Sequence, residues 1–183
     1  MANPFETLGL VPTFALEAAV LEQRQRDLNR ALHPDRHAQK SAAERRVALS
    51  RSMDVNQAYR SLRDPTSRAE ALFELLGVDS LAERTATDPT LLGEMLEQRE
   101  LLDEVRRNKD ATRLATLKAN MIAREGELVT ELGSAFDPLL PVGTGAVPTS
   151  SRDPHVLSAQ RLLTELRYVR RFTEEVAAIE DEL

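Results

Sequence analysis

His33-Pro34-Asp35 sets an imidazole, a rigid ring and a carboxylate side by side at the end of a positively charged segment. Proline pushes the residue before it out of α geometry, so a helix running into His33 ends there. The stiff polar turn that results presents its side chains, and its carboxylate is suited to accept from a guanidinium on a partner. By itself the tripeptide is common, and an ordinary helix-ending turn accounts for it. His33 and His37 stand four apart with Asp35 between them, a spacing that suggests metal ligation. Pro34, however, interrupts the helix that would put both imidazoles on one face, and the third histidine is distant His155. No metal site is expected there. Zero cysteines exclude disulfides and thiolate ligation of a metal or cluster. With no Gly-rich phosphate loop and no Ser/His/Asp set that sequence can bring together, neither enzyme nor cofactor is expected.

A second constellation lies in the middle of the chain. At about 100° per residue, Glu97, Glu100 and Glu104 fall within about 60° of one another on a helix. Leu92, Leu96 and Glu100 form the neighbouring ridge at i, i+4 spacing. Leucine mixed with carboxylates suits a partner surface with an apolar centre and a basic rim. Leucines on a bundle helix are more often core, whereas three charged glutamates are not core residues, so the acids carry the discrimination. Gly93, within this stretch, removes contact area and lowers helix propensity by up to ~1 kcal/mol.

Both constellations need helices to hold them. Ala18–Leu32 reads as an amphipathic helix, with Val20, Leu21, Leu28, Ala31 and Leu32 at three-, four- and seven-residue spacings and Arg24, Arg26 and Arg30 between them. Arg24 lies about 120° from Arg30 in projection, so the three arginines cannot share one contact. A second run from about Ala42 carries Val47, Leu49, Met53, Ala58, Tyr59 and Leu62 and stops at Asp64-Pro65. Met53 and Tyr59 are expected to pack the hairpin against Leu28, Phe5 and Leu62. A short helix or turn near Phe5 precedes the hairpin, and another helix follows it, ending at Gly77 as C′ glycine. Asp88-Pro89 supplies an N-cap acid and a first-turn proline for a helix carrying Leu91, Leu92, Met95, Leu96, Leu102 and Val105. After a turn at Asn108-Lys109-Asp110, Ala111 to about Phe136 carries Leu114, Leu117, Met121, Ile122, Leu128, Val129 and Leu132 on one stripe. Asp137 to Pro154 is rich in proline and glycine and reads as a long loop of open role. A last helix runs from His155 to about Ile179. No window alternates like a strand.

Composition agrees. The 183 residues are 42% hydrophobic, 30% charged and only 4% aromatic, which favours a folded, helical chain of one or two domains. No apolar run approaches the ~20 residues that cross a bilayer, and the N-terminus does not read as a signal peptide. Cytoplasmic localisation and no membrane partner are expected. The net charge of −6 divides unevenly: residues 17–63 hold ten Lys/Arg against six Asp/Glu, and residues 64–110 hold six against twelve. Two oppositely charged partner surfaces or simply solvated helix faces both fit this split. With pI ≈ 5.2 and no basic stripe interleaved with aromatics, nucleic acid is not an expected partner.

The basic helix, His33-Pro34-Asp35 and the run Asn56-Gln57-Ala58-Tyr59…Leu62-Arg63-Asp64-Pro65…Arg68 together resemble a J-domain. The resemblance extends to the HscB-type co-chaperones of iron–sulfur cluster assembly through Asn3-Pro4-Phe5-Glu6-Thr7-Leu8-Gly9-Leu10, Arg68–Gly77 and Leu92–Glu104, and so spans nearly the whole chain. It implies an all-α protein with an N-terminal J-domain helical hairpin (1–77), a connector (78–88) and a C-terminal antiparallel three-helix bundle (89–183) in an L-shape. It also implies two protein partners. His33, Pro34 and Asp35, with Arg24, Arg26, Arg30 and Arg36 as a docking patch, would stimulate the ATPase of a DnaK-type (HscA-like) chaperone. Leu92, Leu96, Glu97, Glu100, Glu104 and Tyr168 would bind an iron–sulfur scaffold protein (IscU-like). Asp27 stands where many J-domains are basic, which implies a weaker, salt-sensitive patch. Gly93 stands where the family is commonly bulky and apolar, and the 137–154 loop is longer than usual. No tetracysteine extension is present, which favours a bacterial type. The alternative is a J-domain protein whose bundle binds a different client or mediates dimerisation.

Overall fold

A computed structural model describes residues 3–37, 40–80, 89–140 and 149–181, and every regular element among them is a helix. The order is α1 (Pro4–Leu8), α2 (Ala18–Leu32), a 3₁₀ turn (Pro34–His37), α3 (Ala42–Arg63), α4 (Pro65–Leu76), α5 (Pro89–Asn108), α6 (Ala111–Phe136), a 3₁₀ turn (Asp137–Leu139) and α7 (Pro154–Glu180). By internal contacts the chain divides into two compact units, Met1–Val78 with Leu139–Thr149, and Asp79–Pro138 with Ser150–Leu183.

Local chemistry sets the helix ends. Asn3, Ser41, Asp64, Asp110 and Asp153 each accept a backbone N–H at the start of a helix. Ser41 also closes a capping box: its Oγ accepts from Glu44 N–H at 3.2 Å, and Glu44 Oε2 accepts from Ser41 N–H at 2.9 Å. Gly9 and Gly77 adopt φ of 62° and 68° and end α1 and α4 in the same way. In each, the glycine N–H and the next N–H donate back into the final turn, a Schellman closure that a side chain at either position would strain. Asp88, read as the cap of α5, lies outside the described residues.

In the first unit, α1, α3 and α4 bury Phe5, Leu8, Val55, Ala58, Leu62, Leu72, Phe73 and Leu76, with Phe14 from the loop before α2. Arg68 fastens that loop. Its guanidinium donates to the carbonyls of Phe14 and Leu62 at 2.7 Å each and of Arg63 at 3.3 Å, and sits 5.3 Å from the Phe14 ring centre. In this unit Thr149 N–H donates to Leu76 O at 3.0 Å, and Leu139 is buried.

Here the expected hairpin core needs correction. Met53 is 65% exposed, and Val20, Val47 and Leu49 are exposed as well, as is Ala31. Tyr59 and Leu28 are half-buried. The buried stripe of α3 is Ala48, Val55, Ala58 and Leu62. Met53 lies about 200° back from Val55 in projection, on the opposite side of the helix. Two apolar stripes coexist on α3, and the smaller side chains won the core.

In the second unit, α6 and α7 pack along their lengths through Leu114, Leu117, Leu128, Leu132, Leu163, Leu166, Phe172 and Val176, and α5 adds Leu91, Leu102 and Val105. Ile122, expected on the α6 core stripe, is 53% exposed. Ion pairs lace the surface. Arg124 reaches Glu127 and Glu131 on its own helix and Glu165 on α7, and these carboxylates hold its guanidinium protonated. Lys118–Glu180 and Arg170–Glu125 are further α6–α7 pairs.

Candidate functional site: two helix surfaces

The first surface is the end of the α2–α3 hairpin. α2 stops at His33, whose φ/ψ of −59°/135° is extended, as the following proline requires. The chain then turns through Pro34–His37, with Arg36 N–H donating to His33 O at 3.0 Å. Asp35 N–H donates to His33 Nδ1 at 3.3 Å. Asp35 Oδ2 stands 3.5 Å from the same nitrogen, and its side chain is 89% exposed. The carboxylate is thus offered to solvent with most of its acceptor capacity open.

The arginines divide. Arg24 donates to Gly9 O at 2.9 Å and ties α2 to the end of α1. Arg26 lies along the exposed helix face, 3.4 Å from Glu22 and 3.1 Å from Gln23 Oε1, while Gln23 Nε2 donates to Asp27. Arg30 and Arg36 are exposed at the loop end. Arg24 is therefore the member of the expected patch with an evident structural task.

Beneath the turn, a run of amides and a hydroxyl crosses from α2 to α3. Gln25 Nε2 and Asn29 Nδ2 both donate to Asn56 Oδ1, at 3.1 and 2.9 Å, and Ser52 Oγ donates to Asn29 Oδ1 at 3.2 Å. All four side chains are half-buried. In the sequence Asn56 stands out only as part of a motif, and Gln25, Asn29 and Ser52 do not stand out at all. The i, i+4 spacing of Gln25/Asn29 and of Ser52/Asn56 was the available clue.

The second surface is the outer face of α5. Leu92 and Leu96 are 52% and 57% exposed, about 100° and 140° round the helix from buried Leu91, beside which Leu102 and Val105 are also buried. Glu97, Glu100 and Glu104 are exposed beside them. Gly93 leaves open space, since a Cβ placed there meets nothing within 4 Å. Glu104 is also held by Arg113 at 2.8 Å, which favours the charged guanidinium. Tyr168 comes from α7: its hydroxyl donates to Met95 O at 2.8 Å, and its ring centre is 5.7 Å from that of Phe172. Burial pushes the phenol above its ordinary value. Arg99 pairs with Glu175 close by, binding α5 to α7 again. Between the three helices a hollow of 270 Å³ is lined by Leu91, Met95, Gln98, Met121, Tyr168 and Val169, among others. Tyr168 therefore meets α5 at the residue preceding Leu96, and all six expected side chains belong to this unit.

What each surface offers is shape, apolar area and charge of one dominant sign: cationic with an open carboxylate on α2 and its turn, anionic with two leucines on α5. Among the described residues no helix is long and apolar enough to cross a membrane.

The chain is similar to proteins of one family. Residues 87–177 match the family described as "HSCB C-terminal oligomerisation domain". The co-chaperone protein HscB homolog of Bordetella pertussis is 47% identical over 118 residues, 64% of this chain and 68% of that protein. The HscB homolog of Shewanella woodyi is 30% identical over 183 residues, covering 99% and 98% of the two chains. Among solved structures, chaperone HscB from Vibrio cholerae superposes with a TM-score of 0.79 at 28% identity, covering 98% of this chain and 99% of that one.

Proposed function

The chain belongs to the HscB family of co-chaperones, and on that premise we propose that it couples two proteins. Its His33-Pro34-Asp35 turn stimulates ATP hydrolysis by a DnaK-type, HscA-like chaperone in the cytoplasm, and the α5 face delivers an IscU-like iron–sulfur scaffold to it. The protein performs no chemistry itself: Asp35 accepts from a cationic group on the chaperone, Arg26, Arg30 and Arg36 attract an acidic surface, and hydrolysis takes place in the chaperone's own site. Because the chaperone can grip scaffold and co-chaperone together, each favours its tightly binding state in the presence of the other, which is coupling through linked binding.

The observation that carries this reading is the outward Leu92–Leu96 ridge. This i, i+4 leucine pair leaves more than half of each residue's surface in solvent, and its carboxylate border suits a partner with an apolar centre and a basic rim.

A second reading is self-association, favoured by the family's description as an oligomerisation domain. A two-fold contact through the same face would set Glu97, Glu100 and Glu104 against their own copies, a like-charge juxtaposition that opposes it.

The test is ATP turnover by the cognate chaperone, with scaffold present and absent, adding this protein or its His33→Gln variant. Stimulation that needs His33 and rises synergistically with scaffold is the expected result. Stimulation without synergy would assign the bundle to another client or to self-association, which sedimentation would separate. No stimulation would end the chaperone reading.

A further inference from the structure

We propose that Asn56 is a positioning residue for the His33-Pro34-Asp35 turn, acting through the amide ladder that links α3 to α2. This rests on the chaperone reading above. In this antiparallel pair, Gln25 and Asn29 succeed one another by one turn on α2, and Ser52 and Asn56 do so on α3. Asn56 bonds both α2 amides, and Ser52 bonds the outer one. One further turn of α2 beyond Asn29 is His33 itself.

The ladder matters because apolar packing holds this part of the hairpin weakly. Leu21 is the buried side chain of α2, and it lies at the end remote from the turn. Nearer the turn, Leu28 and Leu32 are only half-buried, and the facing α3 contributes Ala48. Leucine and alanine contacts tolerate sliding, whereas an amide that must meet a specific oxygen does not. A slip of one rung, four residues, moves α2 along α3 by about 6 Å, and a slip of one residue rotates it by about 100°. Either displaces Asp35 and Arg30 relative to Arg36 and the start of α3. A half-buried polar contact of this kind contributes more to register than to stability, as a single polar core residue does in paired helices.

Both α2 bonds land on Asn56 Oδ1. Two substitutions therefore separate the role from bulk packing: Asn56→Leu fills the space and removes the acceptor, while Asn56→Asp keeps an acceptor for both amides.

The experiment measures stimulation of the chaperone's ATPase against concentration of the full-length protein, alongside thermal melting and amide NMR shifts of Asp35 and Arg36. Asn56→Leu is expected to melt no lower than the parent yet to need roughly three- to tenfold more protein for half-maximal stimulation, the scale of one or two lost hydrogen bonds. Its maximal rate is expected to be retained, because at saturation the turn is selected in its bound position. Asn56→Asp is expected to restore the parent concentration. If Asn56→Leu melts lower, Ser52→Ala, which removes only the outer rung, replaces it and is expected to raise the half-maximal concentration about twofold. An unchanged half-maximal concentration in these variants overturns the proposal, as does Asn56→Asp failing alongside Asn56→Leu. Should the parent protein not stimulate at all, the chaperone reading fails, and the NMR shifts alone decide the ladder. Shifts at Asp35 and Arg36 that move in Asn56→Leu and return in Asn56→Asp support it, and shifts that stay put refute it.

Discussion

The Tyr168 hydroxyl donates to the Met95 carbonyl oxygen at 2.8 Å, so a side chain of α7 is fastened to the backbone of α5 one residue before Leu96. The bond crosses 73 residues of sequence and anchors the half of α5 that carries the exposed leucines.

Removing that hydroxyl with Tyr168→Phe is expected to cost about 1 kcal/mol, the typical net worth of one hydrogen bond. The pH dependence has a defined sign. Burial raises the phenol above its ordinary value of 10.0, so folding favours the neutral donor. The contribution is complete below pH 10 and is lost as pH rises through the folded value. Urea midpoints of parent and variant are expected to differ at pH 8 and to converge at strongly alkaline pH. A difference that grew with pH would contradict the assignment.

Charge reversal on α5 is expected to act on the scaffold and not on the chaperone. Glu97→Arg and Glu100→Arg should each weaken scaffold binding about tenfold while leaving scaffold-free ATPase stimulation at the parent level. Glu104→Arg carries an additional effect, because it turns the Arg113 pair into a repulsion. Calorimetric titration with scaffold checks this, and normal binding by the triple reversal would remove the α5 face from the site.

Arg68 is held by three carbonyls and the Phe14 ring, and its guanidinium pKa is lowered chiefly by burial, partly opposed by Asp64. An ammonium cannot reproduce that fork. Arg68→Lys is expected to destabilise the protein by about 2 kcal/mol and Arg68→Ala by about 3, with the part-buried Leu62 and Phe14 carbonyls left short of donors. Denaturant unfolding gives both values, and a loss in Arg68→Lys within error of zero would show that charge alone suffices.

Gly93 has open space where a side chain would stand. Gly93→Ala is expected to stabilise α5 by about 0.5–1 kcal/mol through helix propensity and a more restricted unfolded chain. If area beside Leu92 and Leu96 contributes to scaffold binding, affinity should hold or rise. Reduced affinity would mean that the glycine permits a close backbone approach by the partner.

Much of this molecule is local in origin and was therefore legible from residues alone. Helix limits follow from caps and prolines: Asp64-Pro65 ends α3 and starts α4, Gly77 closes α4 in the left-handed region, and Pro34 stops α2 at His33. The amphipathic spacing of α6 and α7 and the exposed turn with its carboxylate belong to the same class. Each depends on atoms within four or five residues, which the order of side chains dictates directly.

Which apolar stripe goes inward is not local. Periodicity places Met53 and Ala48 on different faces of α3 and Leu91 and Leu92 about 100° apart on α5, but it does not say which face another helix will cover. Packing around Phe5, Phe73 and Leu72 took Val55, Ala58 and Leu62 and left Met53 and Leu49 in water, and α6 with α7 took Leu91 and left Leu92 and Leu96 outside. Helix positions, most of their ends and the turn at His33 are written in the order of the residues, although α7 starts at Pro154, capped by Asp153, where a loop was expected. The exposure of Leu92 and Leu96, the bond from Arg24 to Gly9 and the meeting of Asn56 with Gln25 and Asn29 arise in the folded chain, because each is settled by contacts between segments far apart in sequence.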